Sequence, residues 1–164
     1  MKNQFRSMLQ TVFCCAALVY PVLSQAHHSF AIYDMTKQKT ITGVLTRFIV
    51  GANHSQFIFD VVDDKRVPIN GTDGKALSWG VETGPASVIA RAGITVESFP
   101  IGTIFTVTLS PLRDGRNFGT LLDSGIILCG LTMPAGGCTK ATGKVYMERM
   151  NYAAPAPTNT APAN

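Results

Sequence analysis

The chain has 164 residues, 46% of them hydrophobic and 15% charged, with a formal net charge of +4. That length and apolar content suit one domain with a real core. Lys and Arg are spread along the chain rather than run together, which gives a nucleic-acid role little support.

The first segment has the three parts of a secretory signal. Lys2 and Arg6 form a positive start, Met8 to Leu23 is an uncharged and largely apolar run, and Ser24-Gln25-Ala26 puts small residues at the third and last positions before a cut. The run is short for a membrane span of ~20 residues, and Pro21 interrupts it. The reading is therefore export with cleavage after Ala26, giving a periplasmic or secreted protein. No later apolar stretch is long enough to span a bilayer. Lys2 and Arg6 leave with the signal, so the mature 138 residues carry +2 rather than +4. Cys14 and Cys15 leave as well, and two cysteines remain, Cys129 and Cys138. Between them lies Gly130 to Gly137, rich in turn formers. A hairpin centred on Met133-Pro134-Ala135 would bring the pair together as a structural disulfide, the expected state in an oxidising compartment. A redox pair would show the closer Cys-x-x-Cys spacing.

The mature chain starts His27-His28-Ser29-Phe30. Residues 29–36 read as an extended arm that Phe30, Ile32 and Tyr33 can dock. Residues 37–50, rich in Thr and β-branched side chains, predict a long strand with a bulge or bend at Gly43. Residues 51–54 connect it to a second strand over 55–64, where Phe57, Phe59 and Val61 share one face at period two. Asp63-Asp64-Lys65 turns the chain, and 66–75 form a loop or ragged hairpin. Leu77, Trp79 and Val81 alternate in a third strand over 76–83.

Residues 84–93 are the helix candidate, with Pro85 at the first helical position and Gly93 at the stop. Residues 95–99 predict a further helical turn. Phe105, Val107 and Leu109 alternate in a strand over 103–109, and 111–115 turn around Arg113-Asp114-Gly115. A strand region over 118–131 is interrupted at Gly125, and a last short strand follows within 144–150. Residues 151–164, almost wholly Ala, Pro, Thr and Asn, read as a disordered tail. Strand-strand-strand-helix-strand-strand is the order of a small OB-like five-stranded barrel. The fold class is all-β with one short helix, and a small β-sandwich or another small barrel is the alternative. The domain is expected to span 27–150.

Several motifs occur in the order of a known family. His27-His28-Ser29-Phe30-Ala31 with Tyr33-Asp34, Gly43-Val44-Leu45-Thr46 with Phe48, and Asn53-His54-Ser55 come first. Trp79 with Glu82, Ala90-Arg91 with Gly93, and Arg113-Asp114-Gly115 follow. Over roughly 27–128 the chain resembles the exported bacterial proteins of the uncharacterised DUF6152 family. It departs from the family pattern at Asn53 and Gln56, positions where that pattern has a proline and an aromatic residue. The resemblance implies export and fold rather than an activity.

An N-terminal histidine offers its α-amino and imidazole nitrogens together, and a third nitrogen completes a set that suits Cu(II). His54 is the natural third ligand, His28 a second candidate, and Glu82 an acidic neighbour that could orient the imidazole. The plain alternative is that these histidines only cap the arm and hydrogen-bond a turn. No serine lies in a nucleophile-elbow motif, and the glycines at 71, 74, 80 and 84 do not spell a phosphate loop. Asp63-Asp64 reads as a solvated turn, and Trp79 and the strand phenylalanines as core. The leading expectation is an exported, non-enzymatic binding protein for a protein or small ligand. Its candidate binding face comprises Trp79, Arg91, Arg113 and Asp114. The alternative is a periplasmic copper-binding protein using His27, His28 and His54.

Overall fold

The structure is a computed structural model that describes residues 30–148. The signal segment 1–26, His27, His28 and the tail 151–164 lie outside those residues. The body from Tyr33 onward is built from six strands and one helix: β1 (Lys39–Ile49), β2 (Gln56–Val61), β3 (Ser78–Glu82), α1 (Ala86–Arg91), β4 (Ile104–Pro111), β5 (Phe118–Gly130) and β6 (Lys144–Tyr146). Among the described residues no helix is long and apolar enough to cross a membrane.

The hydrogen-bonded order is β3-β2-β1-β4-β5-β6, and a further pairing of β3 with β5 closes the first five strands into a barrel. All pairings are antiparallel except β3 with β5, which is parallel through Gly80↔Phe118, Val81↔Gly119 and Glu82↔Thr120. A helix between β3 and β4, with β1 shared by both halves, is the OB-like arrangement the element order predicts. β6 adds a sixth strand along the second half of β5.

The period-two patterns end where they should. Leu45, Phe57, Phe59, Trp79, Val81, Phe105, Val107 and Leu109 all point into one apolar core. Phe105 lies 5.0 Å from the Phe59 ring and 6.0 Å from the Phe57 ring, centroid to centroid. Closure of the barrel depends on Gly80, because a Cβ there would run into the Phe118 ring and approach Ile58.

α1 and the turn after it plug one end of the barrel. Ile89, Ile94 and Phe99, each 1% exposed, enter the core there. The Ala86 N–H donates to the Gly51 carbonyl at the end of β1, and the Phe99 ring reaches Phe57 at 5.8 Å. At the opposite end, where β1 and β3 begin and β4 gives way to β5, no helix covers the core among the described residues, and Tyr33 there bridges to Leu112.

Four local expectations are corrected. Pro85 stands at the N-cap of α1 rather than inside its first turn, so the helix is six residues long. Residues 95–99 form a turn held by Ser98, whose hydroxyl donates to the Gly93 carbonyl, rather than helix. The irregularity in β1 falls between Leu45 and Arg47, not at Gly43. Gly43 instead leaves room for the Phe59 ring, and a Cβ there would also come within 2.9 Å of the Asp60 carbonyl oxygen. Of the arm residues, only Tyr33 is buried, while Phe30 and Ile32 are exposed.

Cys129 and Cys138 form a disulfide with their Cα atoms 5.7 Å apart. They do not face each other across a hairpin ladder. Cys129 lies near the end of β5, and Cys138 lies in the loop that leads to β6. The Cys138 carbonyl accepts the Thr106 hydroxyl at 2.7 Å. That bond uses the one hydroxyl proton of Thr106, so in the 2.7 Å contact between Thr42 and Thr106 it is Thr42 that donates. The disulfide loop is thereby tied to β4 and, through it, to β1.

Candidate functional site

The unplugged end of the barrel holds Trp79. β3 presents its indole inward, and only 7% of it is exposed. The Lys39 ammonium, at the start of β1, stands 5.1 Å from the centre of its ring. That is cation–π distance. Two concavities meet at this pair. One, of about 430 Å³, runs along residues 39–42 of β1 and is floored by Val61, Val62, Ile69 and Leu77. The other, of about 240 Å³, lies between the start of β1 and the turn after β4, and Lys37, Arg113, Arg116 and Asn117 line it.

The turn after β4 is rigid for local reasons. Gly115 has a φ of +82°, which favours glycine. The Asp114 carboxylate accepts the Arg116 backbone N–H at 3.1 Å and its side-chain Nε at 2.8 Å. Those bonds hold the Asp114 carboxyl below the usual carboxylate range. Opposite it, the Asp34 carboxyl is pulled down to about 2 by the Thr36 hydroxyl first and Lys37 second. Both acids therefore stay ionised and hold Lys37 and Arg116 in place. Two pairs of cations that the sequence keeps far apart, Lys37 with Lys39 and Arg113 with Arg116, line one small cleft, with Asp34 as the carboxylate among them.

Of the four residues expected to form a binding face, the fold brings Trp79 and Arg113 to this end, with Asp114 supporting Arg116. Arg91 is not there. It sits in the last turn of α1, which plugs the other end. Lys39 was missed in the sequence, since a lysine in a strand reads as solvated. Its place at period two with the inward-facing Ile41, Gly43 and Leu45 was the available signal.

His54 and Glu82 do come together, with Nδ1 3.4 Å from Oε1. Ser55, fully buried, fixes the loop that carries His54. Its N–H donates to the Gly84 carbonyl, and its carbonyl accepts both the N–H and the hydroxyl of Thr83. On its other side Glu82 accepts a hydrogen bond from the Tyr33 phenol. Burial, then the Glu82 charge, then that hydrogen bond push the Tyr33 hydroxyl up to about 12 from 10.0. Among the described residues no three His, Cys, Asp or Glu side chains gather closely enough to hold a metal ion.

The sign of the Tyr33 shift sets a pH window. Between pH 10 and about 12 the unfolded chain has released this proton while the folded chain keeps it. Stability contributed by the Tyr33–Glu82 contact is thus full below pH 10 and is lost on the way up to about 12. An ultraviolet titration should show one late-ionising phenol that disappears in Tyr33→Phe and moves down in Glu82→Gln. A set of tyrosines all titrating together would contradict this.

Residues 16–121 match the model of DUF6152, a family of unknown function. A search of curated proteins finds no match. Among solved structures the chain is similar to the mitochondrial single-stranded DNA binding protein Rim1 of S. cerevisiae. The identity is 12% and the TM-score 0.40, over 57% of this chain and 94% of that one.

Proposed function

The chain belongs to the DUF6152 family, and within it we propose that this protein is an exported, non-catalytic binding module whose ligand enters the unplugged end of the barrel. One observation carries the reading: two concavities meet at the Lys39–Trp79 pair. An aromatic face, a cation over it and apolar walls make up the mixed lining by which small sites bind and orient ligands. The export half of the proposal rests on the signal pattern of residues 1–26.

Trp79 is the only tryptophan in the chain, so its fluorescence reports on this end alone. Oligosaccharides, organic anions and peptides are titrated against the protein beginning at His27. One class should shift the emission saturably. Lys39→Glu should weaken it about tenfold, the equivalent of ~1.4 kcal/mol, and Arg113→Glu should do so by a similar factor. Binding that leaves Trp79 silent, or that ignores both substitutions, would overturn the proposal.

A second reading is favoured by the His54–Glu82 contact. A carboxylate beside an imidazole nitrogen fixes the ring and its tautomer, as it does around many metal-binding histidines. With cleavage after Ala26, His27 would add its α-amine and imidazole, and the ligand would be Cu(II). The test is a Cu(II) titration with electron paramagnetic resonance on protein starting at His27. A control carries one extra residue ahead of it. Tight binding with nitrogen hyperfine structure should vanish in the control and in His54→Ala. Weak binding, equal in all forms, removes copper.

A further inference from the structure

We propose that the ligand is an extended, acidic polypeptide segment that adds as a strand to the open edge of β1; this rests on the binding-module reading and names its partner. The two halves of β1 have different neighbours. The ladder with β4 runs over residues 39–44. The ladder with β2 runs only over residues 43–49. Beyond Gly43 one bond remains on the β2 side, from the Val62 N–H to the Thr42 carbonyl.

An antiparallel ladder sends the backbone groups of alternate residues to opposite sides. Leu45 bonds toward β4, through the Thr103 carbonyl, and Thr42 bonds away from it. Thr40 shares the parity of Thr42, so its N–H and C=O face the larger concavity, and among the described residues no backbone bond is recorded for them there. An exposed strand edge of this kind is a template for another chain. Peptides that add to such edges gain affinity from main-chain hydrogen bonds and specificity from pockets for alternate side chains.

The pocket here is apolar beside Thr40, with Ile41, Val62, Ile69 and Leu77 in its wall. It becomes basic toward Lys37, Lys39 and Arg113. Charge selects the occupant. A second copy of β1 with the residues just before it would bring its own Lys37 and Lys39 to the same cations, and like charges facing across strands are destabilising. A segment alternating apolar residues with Asp or Glu would complement both regions.

The test begins with selection of randomised peptides displayed on phage against the mature protein, with the Lys39→Glu protein as the counter-selection. Alternating apolar and acidic peptides should be enriched. A synthetic one should shift Trp79 emission and slow hydrogen exchange at the Thr40 amide. It should lose binding when N-methylated at one parity of its residues and keep it at the other, and Lys39→Glu should weaken it about tenfold. A peptide that moves Trp79 but is indifferent to N-methylation and leaves the Thr40 amide exchanging overturns strand addition while keeping the binding site. The same holds if no peptide is enriched and a glycan or small anion moves Trp79. Oligothymidylate binding at Trp79 with steep salt dependence would overturn the peptide class in favour of a nucleic acid. If nothing moves Trp79, the site itself falls with the proposal.

Discussion

Phe105→Ala is expected to destabilise the domain by about 3–5 kcal/mol, the range for a large aromatic residue removed from a packed core. Phe105 is fully buried on β4. Its ring packs on the Phe59 and Phe57 rings, so its loss removes both aromatic contacts that join β4 to β2. Domains of this size hold about 5–15 kcal/mol in total, so the variant should sit near the edge of unfolding. Urea or thermal denaturation measures the difference. Val96→Ala, at a site 52% exposed, is the control and should change stability by no more than ~0.5 kcal/mol. A loss below about 1.5 kcal/mol for Phe105→Ala would mean that the barrel collapses to fill the space.

The second large effect is expected from the disulfide. Replacing both Cys129 and Cys138 by alanine, or reducing the native protein, should lower stability by about 2.5–3 kcal/mol from loop-closure entropy, given their separation of nine residues. The local consequence is specific. The loop from Leu131 to Gly143 carries the Cys138 carbonyl that accepts the Thr106 hydroxyl. It also delivers β6 to β5. Removing the link should therefore speed hydrogen exchange in β6 before the barrel strands are affected. Denaturation with and without a reductant gives the magnitude. A change below ~1 kcal/mol with β6 still protected would show that strand pairing alone holds this loop.

The barrel and the site differ in how far they could be read in advance. Runs such as Phe57-Phe59-Val61 and Phe105-Val107-Leu109 are local patterns, and a strand with one buried face must write itself at period two. Hence strand identity, the helix between the third and fourth strands and the OB-like order could be read from residues near one another in the chain. The site is a matter of long-range pairing. Lys39 and Trp79 are forty positions apart, and only the ladders β1–β2 and β2–β3 bring them together. Arg91 and Arg113 look equivalent as single exposed arginines, yet the helix carries one to the plugged end and the turn after β4 leaves the other at the open end. Tyr33 read as one of three anchors for the arm. Its bond to Glu82 depends on the bridge from Tyr33 to Leu112 and on the parallel closure of β3 on β5, for which the sequence carries only Gly80 as a trace. The link of Glu82 to His54 follows instead from the pairing of β2 with β3, which sets Gln56 opposite Glu82.

By itself, then, the amino-acid sequence determined the strand faces, the helix position, the pairing of Cys129 with Cys138 and the juxtaposition of His54 with Glu82 as an expectation. Each depends on spacing along the chain or on having few partners to choose from. Tertiary structure alone decided which end of the barrel is plugged, which cations share a cleft and which half of β1 keeps an open edge. The physical reason is that strand register is set by the whole sheet. Once Gly43 marks where β2 leaves β1, both the groove and the unpaired backbone beside Thr40 follow from the closure of the barrel.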